Sequence, residues 1–169
     1  MKKGIKYLSI ILPLTGLLSC NPPPTEIAKD LHERVVYLEK ELANTYKPGL
    51  GEFMSSIQVH HAKLWFAGVN KNWKLADFEI QEIKESLDDI QKFCQDREEV
   101  KSIPMLTPAI DSVMNTIKHQ NLVSFKSGFT FLTGTCNNCH QSTNHEFNVI
   151  QVPEIPPFSN QRFSVDMAH

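Results

Sequence analysis

The stretch from Ile80 to Cys94, IQEIKESLDDIQKFC, sets Ile80, Ile83, Leu87, Ile90 and Cys94 at spacings of three, four, three and four. That period is the apolar seam of a helix packed against other helices. The opposite face carries Asp77, Glu79, Glu82, Glu85, Asp88 and Asp89 and reads as a solvated acidic surface. Working outward, Asn70-Lys71-Asn72 forms a turn and an N-cap. Before it a helix over residues 51–68 sets Phe53, Met54, Ile57, Leu64 and Trp65 on one side. An earlier helix carries Ile27, Leu31, Val35, Leu38 and Leu42, with Thr25 as its cap and Pro48-Gly49 as its stop. Downstream, Thr107-Pro108 is a cap followed by proline at the first helical position. The series Ile110, Val113, Ile117, Leu122, Phe125, Phe129, Leu132, Cys136 and Cys139 then runs as one long helix or as two broken at Gln120-Asn121. From Asn148 onward Pro153, Pro156 and Pro157 argue for an extended tail. The expected fold is all-α: an antiparallel four-helix bundle over residues 26–147, with an extended proline-containing tail over 148–169.

Composition narrows the function classes. The 169 residues are 41% hydrophobic and 21% charged, with 17 basic against 19 acidic side chains and a net charge of −2. That balance suits one ordinary globular domain and disfavours nucleic acid, whose phosphates call for clustered Lys and Arg. No internal repeat or long low-complexity segment interrupts it.

The N-terminus reads as an address. Lys2, Lys3 and Lys6 precede an apolar stretch from Tyr7 to Leu18 that is too short for a stable transmembrane helix. Leu17-Leu18-Ser19-Cys20 resembles the lipobox of bacterial lipoproteins. The resemblance implies a signal peptide over 1–19 and a lipid on Cys20; an ordinary signal peptide ending in cysteine is the alternative. Asn21-Pro22-Pro23-Pro24 makes residues 20–25 a short stiff spacer. The expectation is an exported chain anchored on the periplasmic side of the inner or outer membrane, Asn21 weakly favouring the outer.

Cys136-Asn137-Asn138-Cys139-His140 is the CxxCH attachment sequence of c-type haem. Residues i and i+3 of a helix lie about 5–6 Å apart, so both thiols can add to the vinyl groups of one porphyrin. His140 follows as the proximal ligand. Competing readings are a thioredoxin-like dithiol, which needs a βαβ unit; a zinc site, which needs a second ligand pair; and a plain disulfide. Cys94 reads as a small core hydrophobe.

For the sixth position of the iron, a helical wheel centred on Ile57 puts Leu64, Gly68, Phe53 and Met54 between about −40° and +60°. His61 falls at about +40° and His60 near −60°. His61 is therefore the expected distal ligand, His60 its alternative, with Met54 and Met114 behind them; otherwise the position is open. His145 reads as a pocket-edge residue, and His32, His119 and His169 as surface histidines. Phe125, Phe129, Phe131, Trp65 and Phe66 wall the haem or fill the core. Lys63, Lys126 and Arg97 are candidates for pairing with propionates.

A helical chain with one CxxCH near the end of its last helix resembles the cytochrome c′ class of four-helix cytochromes. The resemblance implies that Cys136 and Cys139 carry the thioethers and His140 the proximal bond. The stretch His61 to Gly68, followed by Asn72-Trp73, is also similar to a segment of poorly characterised bacterial proteins, some of them cytochromes. Two departures stand out: the class usually leaves its distal side apolar, and it usually ends soon after the haem motif. The resulting expectation is no enzyme but a tethered monohaem carrier of electrons between exported redox partners, with haem c as its cofactor. The alternative is a five-coordinate gas-binding or sensing protein whose distal wall is Met54, Ile57 and the phenylalanines. Bundles of this class often dimerise through exposed helix faces, so a homodimer is a further expectation.

Overall fold

The computed structural model describes residues 25–165. The expected leader over 1–19, the expected lipidation site Cys20, the prolines of the expected spacer and His169 lie outside the described residues. The chain divides into two compact units, Met1–Tyr46 and Lys47–His169. In the first, α1 spans Thr25–Asn44, and none of its residues is buried. The stripe from Ile27 to Leu42, expected above as part of the bundle over 26–147, is exposed along its length.

The second unit is helical throughout its ordered elements: α2 (Leu50–Val69), α3 (Trp73–Phe93), a 3₁₀ segment (Glu98–Leu106), α4 (Thr107–Lys118) and α5 (Leu122–Ser142). Each boundary has a local cause. Gly49, with extended backbone, opens α2. The turn Asn70-Lys71-Asn72 closes it through the Lys71 N–H to Gly68 and the Asn72 N–H to Ala67, the paired bonds of a Schellman motif. Lys71 there takes a φ of 57°. Asn72 then caps α3, its Oδ1 accepting from the Leu75 N–H at 3.3 Å. The same device separates α4 from α5. Gln120 takes a φ of 53°, its N–H and that of Asn121 bond back to Ile117 and Thr116, and Asn121 Oδ1 accepts from the Ser124 N–H. The downstream series is thus two helices, broken at Gln120-Asn121.

The entry to α4 differs from the sequence reading. Thr107 is no cap: it is already helical, and the 3₁₀ segment runs straight into α4. Pro104 lies inside that segment.

The second unit folds around one apolar core. Within it α2 packs on α3 and α5, and α4 packs on α3 and α5. The whole seam of α3, Ile80, Ile83, Leu87, Ile90 and Cys94, is buried, joined by Leu64, Val113, Phe125, Phe129 and Leu132. Each such side chain contributes about 1.5–3 kcal/mol by leaving water. The tail beyond Asn148 has no helix or strand, yet it is packed: Phe163 is buried and its ring meets Phe66 at 5.7 Å.

The acidic face of α3 needs one correction. Asp77, Glu85 and Asp88 are exposed, but Glu79 is fully buried between α3 and α2. Its Oε2 lies 2.7 Å from His60 Nδ1, and Lys63 Nζ stands 3.9 Å from Oε1. These two basic side chains on α2 are the polar company that lets a carboxyl group sit there.

Candidate functional site

The final turns of α5 present Cys136, Cys139 and His140 to one side because they fall three and four residues apart. All three line a cavity of about 520 Å³, within the range of small-molecule and cofactor sites. Facing them are Met54, Ile57 and His61 of α2, with Ile83 and Leu87 of α3, Ile103 and Leu106 of the 3₁₀ segment, Ile110 of α4 and Leu132 of α5. Arg97, Glu99, His145, Asn148 and Ile150 also line it, as do Gly49 to Gly51, Ser55, Gln58 and Thr143.

The hydrogen bonds of His140 fix its tautomer. Nδ1 lies 2.6 Å from the Asn148 carbonyl oxygen, which only accepts, so Nδ1 carries a proton and, in the neutral ring, Nε2 the lone pair. That is the state a metal-binding imidazole adopts. The carbonyl is held in place from inside the motif. Asn137 donates through Nδ2 to the Ile150 carbonyl and accepts at Oδ1 from the Ile150 N–H, both at 2.8 Å. The helix end contributes too: the His145 N–H bonds back to the His140 carbonyl at 2.7 Å, around Asn144 at a φ of 59°.

His61 is the buried histidine. Only 4% of its surface is exposed, and burial pulls its pKa down to about 4, so the ring is neutral at physiological pH. Its Nε2 lies 2.9 Å from the Thr133 hydroxyl, which itself donates to the Phe129 carbonyl. A hydroxyl has one proton, so Nε2–H donates and Nδ1 carries the lone pair. The ring also rests against Phe129, with centroids 4.4 Å apart.

His60 turns the other way. It pairs with Glu79 and does not line the cavity, so the α2 histidines divide as the helical wheel orders them. Met54 lines the cavity and Met114 does not. Of the three basic candidates only Arg97 lines it, forked onto Glu99 at 2.6 and 3.2 Å; that bond holds the Glu99 carboxyl below its ordinary range. Lys63 lies near Glu79 and over the Phe158 ring, and Lys126 is exposed. His32 and His119 are exposed, as expected.

The aromatic residues separate into roles. Phe125 and Phe129 are fully buried and stack with Trp65, while Trp73 meets Phe125 edge-on. No phenylalanine lines the cavity, which corrects the expectation of a phenylalanine distal wall; Met54, Ile57 and Leu132 take that place. Phe131 is half exposed.

Among the described residues the cysteines are not paired. Burial pushes the Cys136 thiol up to about 12, with the neighbouring Cys139 adding to the effect, and burial raises Cys139 as well. A reactive dithiol needs the opposite shift, toward a stable thiolate. Nor is there a strand among the described residues to form the βαβ frame of a thioredoxin-like site. Cys94 is a buried member of the core, its thiol raised by burial.

No family model matches the chain, and no curated protein or solved structure is significantly similar to it.

Proposed function

We propose that α2–α5 form an antiparallel four-helix bundle of the cytochrome c′ kind, and that the chain is an exported, lipid-anchored monohaem c-type cytochrome. In this reading it carries electrons between exported redox partners. The observation that carries the proposal is the convergence of Cys136, Cys139, His140 and His61 on one cavity of about 520 Å³. Donor chemistry, tautomer and space all suit a haem: two thiols three residues apart, and an imidazole whose Nδ1–H is already spent on Asn148.

Cys136 and Cys139 would hold the group covalently, His140 would bind iron through Nε2, and His61 would supply the second axial nitrogen. Haem, when bound, supplies a one-electron couple at iron, tuned by its axial ligands and surroundings. The chain's own residues do the rest. Asn148 and Asn137 hold the His140 ring, and the hydrogen bond at Nδ1 makes its other nitrogen more basic. Ile57, Ile83, Leu87 and Leu132 keep water from the interior. Arg97 stands on the cavity wall and would pair with a propionate by exchanging it for Glu99.

One observation favours a second reading. His61 Nε2 is already engaged by Thr133, and if that bond persists in the loaded protein the sixth position stays open beside Met54 and Ile57. The protein would then be a five-coordinate gas-binding or sensing module.

Optical spectra test both readings. The chain is made with the c-haem maturation machinery and recorded oxidised, reduced, and reduced under carbon monoxide. A sharp low-spin spectrum indifferent to the gas, converted to high-spin by His61→Ala, is the expected result. A gas-sensitive high-spin spectrum selects the second reading. Absence of covalent haem overturns both.

A further inference from the structure

We infer that α1 is a dimerisation helix, which pairs with α1 of a second copy of this chain as a parallel two-stranded coiled coil. The inference does not rest on the haem reading. Its starting point is the register of the exposed stripe. With Val35 at heptad position a, the a sites are Ala28, Val35 and Leu42, and the d sites within the helix are Leu31 and Leu38, Thr45 falling just past its end. Ile27 falls at g, on the edge of the same stripe. Leu31, Val35, Leu38 and Leu42 are 61%, 42%, 61% and 64% exposed, so the seam is apolar and uncovered. A β-branched residue at the central a site with leucines at both flanking d sites is the pattern that favours two parallel strands.

The flanks make the seam complementary to itself. In a parallel pair the g residue of one helix meets the e residue five positions on in the other, which sets Arg34 against Glu39 of the second copy, twice by symmetry. Away from the seam, Lys29 and Glu33 pair within the helix at 3.9 Å and leave the seam free of their charges. A bilayer is the poorer occupant: the helix holds five acidic residues (Glu26, Asp30, Glu33, Glu39, Glu41) against three basic ones (Lys29, Arg34, Lys40). Helices that lie on anionic lipid are instead rich in lysine and arginine on the polar face.

Sedimentation of the full chain over a concentration series tests this. The unmodified chain should be a concentration-dependent dimer. Leu38→Glu, which puts a charge at the central d site, should raise the dimer dissociation constant roughly 30-fold or more, the effect of losing a central anchor. Glu39→Arg should weaken the dimer, and adding Arg34→Glu to it should restore it, since that pair meets across the interface only in the parallel arrangement. In an antiparallel pair Arg34 would face Glu41 instead, and the double reversal would not rescue. A chain monomeric at every concentration, a dimer indifferent to Leu38→Glu, or a failed rescue each overturns the proposal. The haem spectrum of the same samples reads the other proposal separately.

Discussion

Replacing His60 by alanine should destabilise the protein by about 3 kcal/mol without touching the cavity. Glu79 is fully buried, and the bond from His60 at 2.7 Å is its one hydrogen bond among the described residues. Its other oxygen has only Lys63, at 3.9 Å, beyond hydrogen-bonding distance. Removing His60 therefore strands a carboxylate between α2 and α3. Breaking a buried pair from one side costs about 3–5 kcal/mol. The lower end applies because the His60 side chain keeps 15% of its exposure, so water can reach part of the gap. At about 4 °C per kcal/mol for a unit of this size, Tm should fall by about 12 °C. The double variant His60→Leu with Glu79→Leu, which removes both polar groups, should lie within about 1 kcal/mol of the parent. Thermal melts and urea titrations of the three proteins check this. A loss below about 1 kcal/mol for His60→Ala, or a double variant no more stable than His60→Ala, would refute the reasoning.

A methyl group at position 68 would overlap the Phe125 ring, which is hemmed in by Trp65, Trp73 and Phe129. Gly68→Ala should accordingly destabilise by about 2 kcal/mol despite alanine's better helix propensity, and a raised Tm would count against the packing described. Asn137→Ala removes both bonds to Ile150 and should lower stability by about 2 kcal/mol in urea titration. In the haem-loaded protein it should also move the reduction potential positive, since His140 loses the support of its Asn148 bond. The pKa of His61, about 4 when folded against an ordinary 6.5, means that the unfolded chain binds its proton more readily. Stability of the haem-free Cys136→Ser, Cys139→Ser chain should thus hold above about pH 7. It should fall by about 3 kcal/mol between pH ~6.5 and ~4 and level off below that, a slope that adding His61→Phe abolishes.

The helices of the second unit were legible because their ends are written locally. Pro48-Gly49, Asn72 and Asn121 are cap and stop residues whose effect needs no partner elsewhere. Within α2, one turn of the wheel sufficed to order His61 ahead of His60 as the inward ring. The CxxCH spacing likewise sets its three residues on one cavity wall. What escaped sequence reading depends on a second element. Glu79 looks like one more solvated acid until His60 and Lys63 are brought against it from another helix. Thr133 lies 72 residues from the histidine it holds, and nothing in its own neighbourhood marks it. Asn137 occupies a position of the motif that admits any residue, and its role emerges only when Ile150 returns to it. The 3₁₀ segment left no periodic trace, because its three-residue repeat matches neither helix nor strand patterning. The stripe of α1 shows the converse: its spacing was read correctly, but periodicity tells that a face seeks cover and not what covers it.

The cavity draws on two helix pairs that are each close in sequence, α2 with α3 and α4 with α5. Each pair can form early and quickly, because its contacts close short loops. His61 and Thr133, by contrast, meet only when the first pair settles on the second. The site is consequently a late product of folding and the first thing lost in partial opening. Amide exchange should find the backbone bonds of α2 and α5 well protected while the His61–Thr133 seam opens and recloses on its own, more often than the protein unfolds. Such breathing would let a large planar group reach Cys136 and Cys139 while leaving every helix intact.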